Sequence, residues 1–226
     1  MKIQELVLNS NKLDLQKNFY SKKLGFEIIE EFGDGFSIQT GATRLSFVNF
    51  TDQNTNYHFA FQISKEKIKV AREWLINRDI SLLKETKTKS DLVMGKSLYF
   101  RDPDGNIVEF IGRSVEDRRS AFAIESVLRL SEIGLPTKDT FSLAKKLIDD
   151  YHIVPKDEEE FNHDFCWVGD DDGVLIVVKE GRHWIPTNCP SIASDFQIKI
   201  KVQGREYAFK SSKGEIENLN VVKSIV

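Results

Sequence analysis

The sequence predicts an α+β fold of repeated βαβββ modules, forming curled mixed sheets around a concave site. Three observations carry this. A unit of one strand, one helix and three strands occurs twice in residues 1–113 and again, more loosely, beyond residue 120. Gly and Asp-Gly turn signals separate the strands. A glutamate, Glu109, interrupts an otherwise apolar strand, where a carboxylate is costly unless it is paired, hydrogen-bonded or bound to a metal.

In the first copy, Ile3 to Leu8 alternates as a strand, with Glu5 and Val7 on one face and Leu6 and Leu8 on the other. Asp14 suits the N-cap of a helix running to about Leu24, and Gly25 suits the position just past its end. Strands follow at Phe26–Glu30, Phe36–Gln39 and Thr43–Phe50. In the second copy, Tyr57–Ile63 is a strand, Ser64 caps a helix through about Asn77, and a strand starts at Ile80. A lysine-rich loop over residues 84–95 leads to the hairpin Ser97–Ile111. Its turn, Asp102-Pro-Asp-Gly105, has a proline to preset φ and a glycine to allow positive φ.

After a charged linker, Arg113–Ser120, the third copy reads as a strand at Ile124–Leu130 and a helix capped by Thr137 and running to about Tyr151. Strands at Asp164–Val168 and Val174–Lys179 follow, with an alternating strand at Phe196–Val202. The expected division is residues 1–113 as a pair of modules holding the site, and 120–226 as a degenerate third module with a C-terminal strand and tail.

The balance of charge excludes some functions. A net charge of −3 with both signs interspersed offers no basic stripe for a nucleic acid. Two cysteines without a CxxC spacing give neither a disulfide framework nor a zinc cluster. Without an apolar leader or membrane-length run, the expectation is a cytoplasmic protein with no membrane partner.

Superposing the copies locates the chemistry. Glu5-Leu-Val-Leu8 aligns with His58-Phe-Ala-Phe61 and, in the third copy, with Ser126-Val-Leu-Arg129. Leu45-Ser-Phe47 aligns with Val108-Glu-Phe110 and Ile176-Val-Val178. Glu5, His58, Ser46 and Glu109 thus take corresponding positions, and two modules packed with pseudo-twofold symmetry bring them to one cup. Two carboxylates and an imidazole suit a divalent ion such as Mn, Fe(II), Co, Ni or Zn. Three protein ligands leave positions open for water or substrate. Tyr99 shares the cup face and can donate a hydrogen bond to a substrate oxyanion.

These residues resemble the vicinal oxygen chelate superfamily of glyoxalases, bleomycin-resistance proteins, extradiol dioxygenases and fosfomycin-resistance thiol transferases. The resemblance rests on Phe19-Tyr-Ser-Lys-Lys-Leu-Gly-Phe26, the strand at His58, and Tyr99-Phe-Arg-Asp-Pro-Asp-Gly-Asn-Ile-Val-Glu109. It implies metal ligands at His58 and Glu109. Glu5 falls where many members have histidine, and Ser46 where glyoxalase I has an acidic ligand with a part in proton transfer.

The expected function is a divalent-metal-dependent enzyme acting on a small oxygen-bearing molecule, as a lyase, ring-cleaving dioxygenase or thiol transferase. One alternative is a metal-free sequestering protein, whose cup would be lined by aromatics with Glu5 turned to solvent. Another is a homodimerising module, whose cup would be filled by side chains.

Overall fold

The computed structural model describes residues 1–50, 55–83, 97–114, 121–156 and 161–219. The expected loop over 84–95, most of the charged linker and the acidic run Asp157–Glu160 lie outside these. The chain opens with β1 (Lys2–Ser10), α1 (Leu13–Lys17, continued by a π-helical turn, Asn18–Lys23), β2 (Ile28–Phe32), β3 (Gly35–Thr40) and β4 (Thr43–Asn49). The second module has β5 (His58–Ser64), α2 (Ile68–Ile76), β6 (Ser97–Arg101) and β7 (Ile107–Arg113). The third has β8 (Arg129–Thr137), α3 (Thr140–Tyr151), β9 (Phe165–Asp170) and β10 (Gly173–Lys179). A meander closes the chain: β11 (Phe196–Val202), β12 (Arg205–Ser212) and β13 (Glu215–Asn218). No helix among the described residues is long and apolar enough to cross a membrane.

Two sheets result. One runs β13-β12-β11-β1-β4-β3-β2 and the other β6-β7-β5-β8-β10-β9. Strand alternation explains how they pack. Leu6 and Leu8 of β1, Phe47 of β4, Phe59 and Phe61 of β5, Phe110 of β7 and Leu135 of β8 are fully buried in one apolar cluster. Helices α2 and α3 add Leu75 and Leu147 to it. The alternate residues of each strand face away from this core.

The pairing of modules differs from the sequence expectation. The first and second modules occupy different sheets: β1 pairs with β11, and β5 pairs antiparallel with β8 through Phe59 opposite Ile133. The second module therefore shares its sheet with the third. The strand expected at Ile124–Leu130 lies later, because Ile124–Ser126 forms a single 3-10 turn. Gly134 and Pro136 both lie inside β8. The helix ends also shift. The N-cap of α3 is Asp139, which accepts from the Ser142 amide, while Thr137 Oγ1 accepts from the Asp139 amide. Asp14 sits inside the first turn of α1.

The Asp102 turn ties the two sheets together. Its buried carboxylate accepts from Gln16 Nε2 at 2.9 Å, Tyr20 Oη at 3.1 Å, Asn106 Nδ2 at 2.9 Å, and the amides of Asp104 and Asn106 at 3.1 and 3.0 Å. Burial pushes this carboxyl up to about 6, and the converging donors keep it ionised at neutral pH. Replacing it leaves buried donors unsatisfied. Asp102→Ala should cost about 3 kcal/mol or more in urea unfolding. A loss comparable to a surface substitution would contradict the role of this turn.

Candidate metal centre

The floor of the cup follows from strand register. On β5, Phe59, Phe61 and Ile63 enter the inter-sheet core, which turns His58, Ala60 and Gln62 to the opposite face. Ala60 lies next to Glu109 of β7 on one side and Glu132 of β8 on the other. A methyl side chain between two glutamates leaves room above it, and His58 stands one pleat along. One ligand atom from each of His58, Glu109 and Glu132 lies within 4.8 Å of the other two. All three residues are buried.

The hydrogen bonds orient these groups. His58 Nδ1 lies 3.1 Å from the Ile107 carbonyl, so it must carry the proton that makes this bond. The Nε2 lone pair is left facing the carboxylates, 3.5 Å from Glu109 Oε2. Burial lowers the imidazole pKa, against the opposing pull of Glu132, and favours the neutral ring. The contact between Nε2 and Glu109 is therefore not an ion pair of a charged histidine. Burial raises the Glu109 carboxyl despite hydrogen bonds from Ser97 and Tyr99. Burial, and then the charge of Glu109, raise Glu132 despite the cation of Arg113. A neutral nitrogen lone pair and two crowded carboxyls form a donor set that a proton or a cation satisfies. The set fits a divalent ion with N/O preference.

Outer groups brace this set. Tyr99 lies opposite Glu109 across the β6–β7 pair. Its phenol is held above its ordinary pKa by burial and then by Glu109, so it stays a donor. Arg113 forms ion pairs with Glu132 and, at 2.9 Å, with exposed Asp171 in the β9–β10 turn. The segment after β10 is pinned by its own bonds, Gly181 N to Ser191 O at 2.9 Å and Trp184 N to Cys189 O at 2.9 Å. It lays Trp184 beside His58, with ring centres 5.0 Å apart. A Cβ on Gly134 would meet this indole at 2.5 Å, so glycine is needed there for the close approach. Above the cluster is a cavity of about 730 Å³, walled by Phe165, Trp167, Ile176 and Trp184.

The structure thus brings together His58 and Glu109, with Tyr99 beside them. It does not bring Glu5 or Ser46 there. Glu5 lies in the other sheet, beside Lys199 of β11 and Arg44 of β4. Ser46 is on β4, with its hydroxyl 2.8 Å from that of Ser37. Glu132 fills the place expected for Glu5. The equivalent of His58 in the third module is Glu132, six positions beyond the Ser126 expected from the sequence. The missed signal was an acid among Leu130, Ile133 and Leu135, the same pattern that marks Glu109.

The Glyoxalase/Bleomycin resistance protein/Dioxygenase superfamily model matches residues 2–110. Over that stretch the chain is similar to the superfamily. Among individual relatives, the chain is 32% identical over 69 residues to the metallothiol transferase FosB of Staphylococcus epidermidis. That match covers 30% of this chain and 47% of the relative, so it spans about half the relative's length. A candidate dioxygenase from Bacillus subtilis subsp. subtilis strain 168 shares the fold at a TM-score of 0.58 and 14% identity. It is matched over 79% of this chain and 63% of its own.

The raised carboxyls give a pH signature. Without metal, both glutamates hold protons more tightly folded than unfolded, so the folded state carries more protons. Stability must then fall as pH rises from the ordinary glutamate range toward neutrality. Thermal unfolding of chelator-treated protein should show this decline, and Glu132→Gln should make it shallower. A midpoint that rises over that interval in both proteins would contradict the assignment.

Proposed function

We propose that the chain is a divalent-metal-dependent enzyme acting on a small oxygen-bearing organic molecule. The observation that carries this reading is the convergence of His58, Glu109 and Glu132 at the floor of an open cup. His58 Nε2 and one oxygen from each glutamate would hold the ion. When bound, the ion supplies Lewis acidity toward substrate oxygens and leaves coordination positions for them. The name of the curated relative, a metallothiol transferase, supports metal chemistry in this family segment.

The chain's own residues divide the remaining work. The Ile107 carbonyl fixes the His58 tautomer. Ser97 and Tyr99 donate to Glu109 and hold its oxygens in place. Arg113 holds Glu132. Trp184 and the aromatic walls line the space above the cluster and favour a planar organic body. Glyoxalase-type lyase, ring-cleaving dioxygenase and thiol-transferase reactions are each compatible with an ion on the floor that leaves positions open to substrate oxygens. The aromatic lining also favours the metal-free sequestering reading. Cup volume weighs against the homodimerising module, whose cup would be filled.

Elemental analysis of protein purified without added metal or chelator separates the first two readings. About one equivalent of divalent metal per chain is expected. It should be lost in His58→Ala and Glu132→Gln and retained in Glu5→Ala. Saturating metal at about 1,000 times its dissociation constant should stabilise the wild type by about 4 kcal/mol. Absence of both effects would leave the sequestering reading in its place. Tyr99→Phe should weaken metal binding by roughly tenfold through its loss of support for Glu109, measured by competition with a chelating dye. Unchanged affinity would remove Tyr99 from the support of the site.

A further inference from the structure

Arg182 stands in the wall of the cup. The other cations lining the cup are matched to carboxylates: Arg113 to Glu132 and Asp171, and Lys156 to Asp171. Arg182 forms no ion pair among the described residues. Asp164 acts on it only through space, and partial burial works against its charge. Its guanidinium lies over the Phe165 ring, 4.9 Å from the ring centre. Among the described residues the fork makes no side-chain hydrogen bond, which leaves its donors available to a carboxylate.

The backbone holds it there. Arg182 N donates to Lys179 O at 3.0 Å, Ser191 N donates to Arg182 O at 2.8 Å, and Ser191 Oγ donates to Lys179 O at 3.0 Å. Arg182 and Trp184 both line the cup. Phe165, which carries the guanidinium, lies opposite Val178, and Val178 lies beside Pro136. Phe165 is therefore two strands across and four residues along from Glu132. Strand spacing and rise put those two backbone positions roughly 15 Å apart. Allowing for side-chain reach, a molecule touching both ends has two polar termini separated by an apolar, planar middle.

We propose that the ligand of this cup is an organic acid with a planar apolar body. Its carboxylate is received by Arg182 on Phe165, and its other oxygen-bearing end lies toward His58, Glu109 and Glu132. The assignment of that oxygen end rests on the metal-site reading above. The carboxylate end rests on Arg182 alone. Arg182 is thus a specificity residue that selects anionic over neutral ligands.

The test uses 6-hydroxy-2-naphthoate and 2-naphthol, which differ only in the carboxylate. Each is titrated calorimetrically into chelator-treated and Mn(II)-loaded protein. The acid should bind about tenfold or more tightly than the naphthol in both forms. In Arg182→Gln the preference should collapse to within about twofold, with naphthol affinity unchanged. Arg182→Lys, which keeps the charge but not the planar fork, should fall between them and guards against a variant that fails to fold.

Equal affinities in the wild type, a preference that survives Arg182→Gln, or no binding of either compound overturns the proposal. Mn(II) uptake is read in the same titrations. Acid preference without Mn(II) binding sinks the metal reading and leaves the Arg182 assignment standing. Mn(II) binding without acid preference does the reverse.

Discussion

The antiparallel pairing of β5 with β8 sets the rest of the molecule. Phe59 opposite Ile133 is the centre of a local twofold relation between the second and third modules. It carries His58 onto Glu132 and Ala60 onto Gly134. The parallel registers of the outer strands then carry Glu109 onto Ile176. The core fixes the choice of face. With Phe59, Phe61, Ile133 and Leu135 claimed by the inter-sheet core, His58 and Glu132 have no place but the cup. A slip of one residue would reverse both. The cup is asymmetric because one half supplies two of the candidate ligands and the other only one. Ile176 takes the fourth position and contributes apolar wall.

The other sheet has the same frame without the chemistry. Leu6 lies opposite Ile198 as Phe59 lies opposite Ile133, and Val7 pairs with Ser46 as Ala60 pairs with Glu109. The three equivalent positions are Glu5, Ser46 and Gln197. Their neighbours are cations engaged elsewhere, Arg44 with Glu30 and Lys199 with Glu206. There a single acid lies between two cations. The cup instead gathers two acids and an imidazole, and this difference separates that face from the candidate metal centre.

Much of this could be read from the sequence. The module repeat, the hairpin around Asp102 and the cup-facing positions of His58, Tyr99 and Glu109 follow from alternation and turn chemistry, which are local. The partner of each module is not local. It depends on which strand edges meet, and proximity in sequence points to Glu5 where the structure has Glu132. Gly134 and Pro136 hid β8, since their tolerance comes from Trp184 packing on one and from strand geometry at the other. The segment holding Arg182 and Trp184 has no period or motif; only its bonds to Lys179, Cys189 and Ser191 place it.

Arg113 joins two very different environments. One side of its guanidinium meets Glu132 on the buried floor, and the other meets Asp171, which is 81% exposed. Dissolved salt screens the outer contact strongly and the inner one weakly. Ionic strength therefore reaches the bottom of the cup through its rim: weakening the Asp171 tether frees the guanidinium to move, and Glu132 loses part of what fixes its oxygens. A site shielded from bulk water is in this way made responsive to the electrolyte outside it.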